Sequence, residues 1–171
     1  MERYCENYLR FEGNEEEINN FIKKSESIYD GVMQYDFEID KLLNMPNDEF
    51  SDPERKQQAI AKYGCKDIAD WWSKNWGTRD ICVEASYNKS MHIFTFVTCD
   101  SPPDKAIVAI SKQYQTLKFT YEYKNFKYED EAMADFGRFV CQDGKIESEE
   151  YGKVKAVFCP ACGQIMTYAK L

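Results

Sequence analysis

The sequence contains none of the short motifs on which common catalytic sites depend. It lacks a phosphate-binding loop, a dinucleotide-binding glycine pattern, an HExxH motif and a Ser-His-Asp arrangement. Its single histidine, His92, lies in the apolar stretch MHIFTF, which favours a packed or strand-edge residue. Carboxylates are numerous, but no pair occupies an apolar setting that would separate its two pKa values. We therefore expect a protein that is not an enzyme and has no catalytic residue.

Long hydrophobic runs are also missing. No apolar run is long enough to span a bilayer, and the first ten residues, MERYCENYLR, lack the apolar core of a secretory signal, so we expect a cytosolic protein. The seven cysteines are irregularly spaced, which favours reduced thiols or a metal over a disulfide framework. A chain of 171 residues, 43% of them hydrophobic, is long enough for one well-buried domain with a small appendage.

The chain also lacks an excess of basic residues. The chain has 22 basic and 30 acidic residues, and residues 1–60 hold 15 acidic against 7 basic side chains. An acidic surface repels phosphate backbones, so we do not expect direct nucleic-acid binding. The densest acidic run is Glu15, Glu16 and Glu17, which we predict to contribute to binding a basic partner. The alternative is a solvated face that keeps the protein soluble.

Hydrophobic periodicity in the first third predicts strands and a helix. The segment CENYLRFEG alternates apolar and polar residues, which indicates a strand covered on one face. Asn14 begins a helix, and Glu17 is expected to complete a capping box with it. The segment YDFEIDKLLNMP alternates at Tyr35, Phe37 and Ile39 and predicts a further strand.

A helical insertion over about residues 47–79 follows. Its first helix begins at a predicted capping box of Ser51 and Glu54 and ends at Gly64, and its second ends before Gly77. The segments DICVEASYN and MHIFTFVTC then predict a hairpin. SPPDKAIVAISKQY predicts a helix with Ser101 as N-cap, and LKFTYEY predicts the next strand.

The order of these elements predicts the fold class. A β-α unit, the insertion and then β-β-α-β form the split βαβ, or ferredoxin-like, arrangement, which is an α+β fold with an antiparallel sheet over residues 1–125. Asp143-Gly144 is typical of a type I′ hairpin. The last 20 residues predict another hairpin with Cys159 and Cys162 at its tip. Residues 126–171 are therefore predicted to be a β-hairpin extension packed on the same domain.

Four segments in order carry a resemblance to a known family: CENYLRFEG, FEIDKLLNMP, YGCKDIADWWSKNWGTR and SPPDKAI…LKFTYEY. Together they resemble the YubB-type ferredoxin-like domain proteins of phages and plasmids, over about residues 4–151. The most specific piece is the run from Asn75 to Thr78. The resemblance implies a ferredoxin-like fold, a mobile-element origin and a bacterial cytoplasm, and it implies no reaction. The ending FCPACGQIMTYAKL departs from the family pattern.

All three tryptophans, Trp71, Trp72 and Trp76, lie within six positions. On a helix, Trp72 shares a face with Trp76, and Trp71 points about 100° away. We predict that Trp72 and Trp76 anchor the inserted helix over the sheet and that Trp71 lies nearer the surface, with a binding role for Trp71 as the alternative. The predicted structural motif comprises Trp72, Asn75, Trp76, Gly77 and Thr78.

The segment CPACG presents two thiols at the spacing of a zinc knuckle. A full zinc ribbon needs a second such pair, which the chain does not contain. We predict one structural Zn²⁺ held by Cys141, Cys159, Cys162 and a fourth ligand. The candidates for that ligand are Cys99, His92, Cys5 or a residue of another subunit. The alternative is a tight turn with two reduced thiols.

These patterns predict a non-enzymatic binding protein, and the resemblance to the YubB-type family implies that it belongs to a phage or mobile element. We expect it to inhibit a host antiviral defence component, with its acidic surface directed at a basic groove of that protein. The first alternative is a protein that sequesters a nucleotide or small signalling molecule, using Trp71 and Arg79. The second is a structural accessory module held together by zinc.

RNA binding is a further possibility that the composition disfavours. Many RNA-binding modules stack bases on aromatic residues of an exposed sheet. Against this are the acidic net charge and the lack of a basic stripe. The residues that would form such a platform are Phe94, Phe96, Phe119 and Tyr121.

Overall fold

The computed structural model describes residues 3–29, 32–35, 37–79, 83–127 and 130–171. Within these residues lie nine strands: β1 (Arg3–Glu12), β2 (Glu26–Tyr29), β3 (Val32–Tyr35), β4 (Val83–Asn88), β5 (Ile93–Cys99), β6 (Lys118–Lys127), β7 (Asp130–Gln142), β8 (Lys145–Phe158) and β9 (Ile165–Lys170). The same residues contain six helices: α1 (Glu15–Ser25), α2 (Ile39–Leu42), α3 (Asn47–Ser51), α4 (Pro53–Tyr63), α5 (Ile68–Asn75) and α6 (Asp104–Gln113).

Seven of the strands form one antiparallel sheet in the order β4-β5-β1-β6-β7-β8-β9. Strands β2 and β3 form a separate two-stranded hairpin. The α+β class predicted from the sequence is confirmed. The sheet is larger than the four strands that the predicted arrangement requires, because the C-terminal strands continue it.

Strand β1 lies near the middle of the sheet and follows the predicted alternation. Cys5, Asn7, Leu9 and Phe11 are all buried on one side. Apolar residues of α1 and α6 join Leu9 and Phe11 in the main core, so both helices cover this side. The alternating pattern of CENYLRFEG therefore decides which face of the sheet receives the helices.

Asn7 is a polar residue inside this core, and its amide is fully used. Its Nδ2 donates to the carbonyl oxygen of Cys5 at 2.8 Å and to Thr98 Oγ1 at 3.1 Å. The Tyr121 hydroxyl donates to Asn7 Oδ1 at 2.6 Å. Because a buried amide without partners is costly, these bonds tie β1 to both of its neighbouring strands.

The segment after β3 differs from the predicted strand. Residues 39–42 form α2, and the buried side chains Phe37, Ile39, Leu42 and Leu43 enter the core. Ile39, Leu42 and Leu43 are spaced i, i+3 and i+4, which places them on one face of a helical turn. The strand prediction was wrong here because the alternation at Tyr35, Phe37 and Ile39 does not continue beyond Ile39.

Two predicted helix caps are also shifted by one or two residues. The N-cap of α4 is Asp52, whose side chain accepts a hydrogen bond from the Glu54 amide at 2.9 Å, and not Ser51. The N-cap of α6 is Pro103, and Ser101 instead donates through Oγ to the Gly77 carbonyl at 2.7 Å. The predicted helices themselves are confirmed.

The C-terminal residues extend the same sheet. Asp143 and Gly144 both have positive φ, 49° and 72°, as a type I′ turn between β7 and β8 requires. Strand β8 then runs for 14 residues before the chain turns into β9. Among the described helices, none has the length and apolar character needed to cross a membrane.

Candidate functional site

One face of the seven-stranded sheet lacks a helical cover among the described elements. The helices that contribute to the main core pack on the side of Leu9 and Phe11. The alternate residues of β1, including Tyr8 and Arg10, point to the opposite side, where Tyr8 is half-buried and Arg10 is exposed. We call this side the open face.

A cavity of about 350 Å³ lies on the open face, over β1, β5, β6 and β7. Arg138 Nε is 3.2 Å from Glu122 Oε1, so this cation is paired. Arg10 forms no ion pair with any residue that the structure describes. The lining residues are Tyr8, Arg10, Glu12, Ile93, Thr120, Glu122 and Arg138.

Aromatic rings and a lysine continue the open face beyond the cavity. Lys124 Nζ lies 5.1 Å from the ring centre of Tyr8 and 4.9 Å from that of Tyr168, within the range of cation–π attraction. Tyr4 stacks on the buried Phe126 with ring centres 4.9 Å apart. These contacts place the lysine beside the rings of Tyr8 and Tyr168 on this face of the sheet.

Tyr8 is a hydrogen-bond donor at neutral pH. Burial raises the pKa of its phenol to about 12, and the nearby Glu6 carboxylate adds to the rise. The hydroxyl donates to Glu6 Oε2 at 3.1 Å. The open face therefore offers a neutral phenol, a guanidinium at Arg10 that has no ion pair with a described residue, and a paired guanidinium at Arg138. These groups can bind by hydrogen bonds and by ring contacts.

The tryptophan segment anchors α5 to the core. Trp76 is only 2% exposed, and Trp72 stacks on it with ring centres 5.9 Å apart. Trp71 meets Trp76 edge to face at 5.6 Å. Trp71 and Trp72 are both half-buried, so the expected difference between them is not found. The reason is a second small core of Phe50, Ala59 and Cys65, against which Trp71 packs.

The residues after Trp76 dock the insertion onto the start of α6. Gly77 has φ 95°, and a Cβ there would lie 2.8 Å from the Pro102 carbonyl oxygen and closer still to Asp104 Oδ1. Thr78 is fully buried and donates to the Cys99 carbonyl at 3.1 Å. Asn75 Nδ2 donates to the Trp71 carbonyl at 2.9 Å. The motif from Asn75 to Thr78 has a structural role in this fold.

The predicted nucleotide contacts, Trp71 and Arg79, both have partners within the protein. The Trp71 ring packs against two apolar clusters. Arg79 Nη1 lies 3.8 Å from Asp100 Oδ2, although 60% of its side chain is exposed. Neither residue lines the cavities described along the sheet, and their role in nucleotide binding stays a prediction.

The three glutamates at the start of α1 differ in their surroundings. Glu15 and Glu16 are exposed. Glu17 is held by the loop before β6, because its Oε2 accepts hydrogen bonds from the Thr116 backbone amide at 2.9 Å and from the Thr116 hydroxyl. Its carboxylate does not complete the predicted capping box, although Asn14 Oδ1 does accept from the Glu17 amide at 3.1 Å. Glu17 therefore stabilises the fold, and only Glu15 and Glu16 remain available for binding.

The structure separates the three predicted zinc ligands. Cys141 is fully buried and pairs with Ile146 at the start of β8, whereas Cys159 follows the far end of that strand. An extended strand rises about 3.3 Å per residue, which places the two cysteines on the order of 40 Å apart. The structure does not bring Cys141 to this pair, because the chain runs on as one strand instead of folding back.

The other candidate ligands are also held elsewhere. Cys5 is buried beside Asn7, and the Nδ1 atom of His92 lies 2.9 Å from the Tyr87 hydroxyl. Among the described residues, no three or more His, Cys, Asp or Glu side chains come together in a group that could hold a metal ion. A metal site at the knuckle would therefore need ligands from outside this part of the chain.

The segment CPACG forms a tight turn that brings its two thiols together. The Cys159 amide donates to the Gln164 carbonyl at 2.7 Å, and the Gly163 amide donates back to the Cys159 carbonyl at 2.8 Å. Backbone amides of Ala161 and Cys162, and then the Cys162 side chain, interact with the Cys159 sulfur and lower its pKa. This turn, which we call the knuckle, stabilises a thiolate.

The four aromatics considered as an RNA platform lie inside the protein. They share the covered side of the sheet with Leu9 and Phe11 and belong to the main core. They cannot stack on bases without unfolding the helical layer. The residues concerned, all at most 2% exposed, are Phe94, Phe96, Phe119 and Tyr121.

The sequence patterns did not predict that the open face could be a site. Its β1 members, including Tyr8 and Arg10, are the alternate positions of a strand whose other side was recognised as core. Their neighbours come from β5, β6 and β7, which are distant in sequence. A clue was the mixture of tyrosine and charged residues on the polar side of CENYLRFEG.

No protein-family model, curated protein or solved structure gives a significant match to this chain.

Replacement of Trp76 by alanine should destabilise the protein far more than replacement of Trp71 or Trp72. Removal of a buried tryptophan typically costs about 3–5 kcal/mol, and the half-buried rings lose less contact. Urea unfolding followed by circular dichroism measures the three losses. Met91→Ala, at a side chain that is 50% exposed, is the control and should change little. Equal losses at the three tryptophans would contradict the anchoring role of Trp76.

Cys159 should react with iodoacetamide at a lower pH than an ordinary cysteine. Its lowered pKa means that the thiolate forms earlier as pH rises, and the thiolate is the nucleophile. Burial raises the pKa values of Cys5 and Cys141, so both should stay unmodified in the folded protein. Peptide mass spectrometry over a pH series measures each rate.

The unfolded protein is the control for this experiment, because all its cysteines should then follow one profile near pH 8.5. A folded-state profile for Cys159 that coincides with the unfolded one would contradict the stabilisation of its thiolate by the knuckle.

Proposed function

We propose that this protein is a non-enzymatic binding protein that recognises a protein partner through the open face of its sheet. The observation that supports this most is a surface of tyrosine and arginine side chains around the cavity at Tyr8, Arg10 and Arg138. Tyrosine and arginine are the residue types that contribute most to protein–protein binding energy. In this proposal the protein acts by occupying its partner.

The charges of the open face favour a protein over a nucleic acid. Arg138 is neutralised by Glu122, and Lys124 is engaged with the rings of Tyr8 and Tyr168. Nucleic-acid surfaces concentrate unpaired cations along a phosphate path, and the net charge of −8 opposes such binding. A mixed polar and aromatic surface suits the polar and aromatic surface of another protein.

The acidic N-terminal third contributes long-range attraction in this proposal. Glu15 and Glu16 are exposed at the start of α1, within a segment of 15 acidic and 7 basic residues. Such a field accelerates the approach of a basic partner, while close contacts on the open face decide how long the complex lasts. The two surfaces have separate roles.

The fold supports a ferredoxin-like core as the finer description. Strands β4, β5, β1 and β6 lie side by side in this order, with α1 and α6 in the connections. We propose that this order represents the split βαβ arrangement, with β7, β8 and β9 as additions to it. With the resemblance to the YubB-type family, we propose a protein of a phage or mobile element that acts in the bacterial cytoplasm on a host antiviral defence component.

A nucleotide or small signalling molecule is the second candidate ligand. The open-face cavity of about 350 Å³ falls within the usual size of small-molecule pockets. Arg10 provides a guanidinium without an ion-pair partner among the described residues, and Tyr8 a ring and a hydroxyl. A nucleotide whose phosphate contacts Arg10 and whose base stacks on the Tyr8 ring would use both side chains.

Crosslinking inside bacterial cells tests the open face. A photo-crosslinking amino acid replaces Arg10 in one variant and the exposed Gln58 of α4 in the matched control. We expect a discrete protein adduct from position 10 and none from position 58. Adding Arg138→Glu to the first variant should reduce that adduct about tenfold or more, since interface arginines often contribute about 2 kcal/mol.

An adduct from position 58 alone would contradict the proposal.

Isothermal titration with ATP, GTP and cyclic AMP addresses the second candidate. Nucleotide binding that Arg10→Ala abolishes, in a protein that gives no adduct at position 10, would favour sequestration of a small molecule over protein binding.

Charge reversal of Glu15 and Glu16 should slow association with the crosslinked partner without changing dissociation. The physical reason is that exposed charges act mainly on the encounter, and salt screens them over about 10 Å at 0.1 M. Stopped-flow mixing across a salt series measures both rates. Gln113→Lys, on α6, is the charge control. Association rates that change neither with salt concentration nor with charge reversal would contradict a role for electrostatic attraction.

A further inference from the structure

The knuckle at the end of the β8–β9 hairpin is half of a tetrahedral metal site. It supplies two cysteines, Cys159 and Cys162, held close together by the hydrogen bonds of the turn. Structural zinc sites take four protein ligands, and thiolates are preferred among them. Because Cys141 lies at the other end of β8, one described chain contributes only half of that ligand set.

The knuckle is also accessible to another molecule. Cys162 and the neighbouring residues of the turn are exposed, and Cys159 is half-buried. The turn includes the small residues Ala161 and Gly163, which leave room for a second backbone to approach. A ligand pair at an exposed hairpin end can meet a second pair without rearrangement of the fold.

Apolar side chains surround the knuckle on both strands of the hairpin. Single exposed apolar residues are ordinary on protein surfaces, but here four flank one turn, and we call this group the apolar patch although Val157 and Phe158 point to opposite faces of their strand. Its members and their exposed fractions are Val157 (40%), Phe158 (47%), Ile165 (39%) and Met166 (65%).

We propose that two copies of this chain join through their knuckles around one Zn²⁺, which Cys159 and Cys162 of each copy bind. A second copy carries an identical pair on an identical exposed turn, so a two-fold axis through the metal completes four thiolate ligands. On binding, each cysteine that is still a thiol releases one proton, up to four in all, and apolar side chains beside the two turns contact each other.

Zinc titration of the full-length protein tests the inference. The protein is stripped with a chelator, kept reduced, and mixed with increasing Zn²⁺ while light scattering and zinc content are measured. We expect the molar mass to double and to reach its limit at half a zinc ion per chain. Chelator should return the protein to the monomer. Co²⁺ in place of Zn²⁺ should give the visible spectrum of a tetrahedral four-thiolate site.

Two variants give the matched comparison. Cys162→Ser changes an exposed side chain, so the fold should survive while zinc uptake and dimer formation are lost. Cys99→Ser removes a half-buried thiol distant from the knuckle in sequence and should leave both unchanged. Met166→Lys keeps all four sulfurs but should raise the dimer dissociation constant about tenfold, because two apolar side chains lose their cover.

Several results would overturn the inference. They are one zinc ion per chain with no change in mass, a dimer that survives chelator, zinc uptake by Cys162→Ser equal to that of the unaltered protein, and a Cys159–Cys162 disulfide in the reduced preparation. This test is independent of the open face, so it neither supports nor weakens the proposed function.

Discussion

Strand β1 pairs along its length with β5 on one side and with β6 on the other, and the rest of the molecule depends on this placement. Cys5, Asn7, Leu9 and Phe11 point into the core, so α1 and α6 must pack on that side. Because side chains of a strand alternate, the same constraint directs Tyr8 and its neighbours to the opposite side. A slip of one residue would exchange the two faces and bury charged residues.

The helical insertion of residues 47–79 packs on this core through its tryptophan segment. Trp76 enters the core, Gly77 allows the backbone to approach the start of α6, and Thr78 bonds to the end of β5. The tryptophans supply a large apolar area from a helix of only eight residues. Their concentration in one segment therefore follows from the need to hold a mostly polar insertion on a small contact.

The C-terminal strands leave two surfaces for recognition. Continuing the sheet beyond β6 extends the open face, because β7 contributes Arg138 to the cavity at Tyr8 and Arg10. The far hairpin carries the knuckle and its apolar neighbours away from the covered core. Both surfaces lie outside the core that the helices cover.

Local patterns in the sequence were sufficient for most elements, because periodicity, caps and turn residues act over a few positions. They determined β1, α1, α4, α5, α6, the turn at Asp143-Gly144 and the hairpin of Cys159. Long-range placement was decided only by the tertiary structure. The position of Cys141 relative to Cys159 depends on whether the following residues fold back or remain extended. The two conformations differ little in local free energy, so the local sequence does not decide between them. The open face likewise consists of residues from four strands. A short segment of sequence does not determine which side of the sheet the helices leave uncovered.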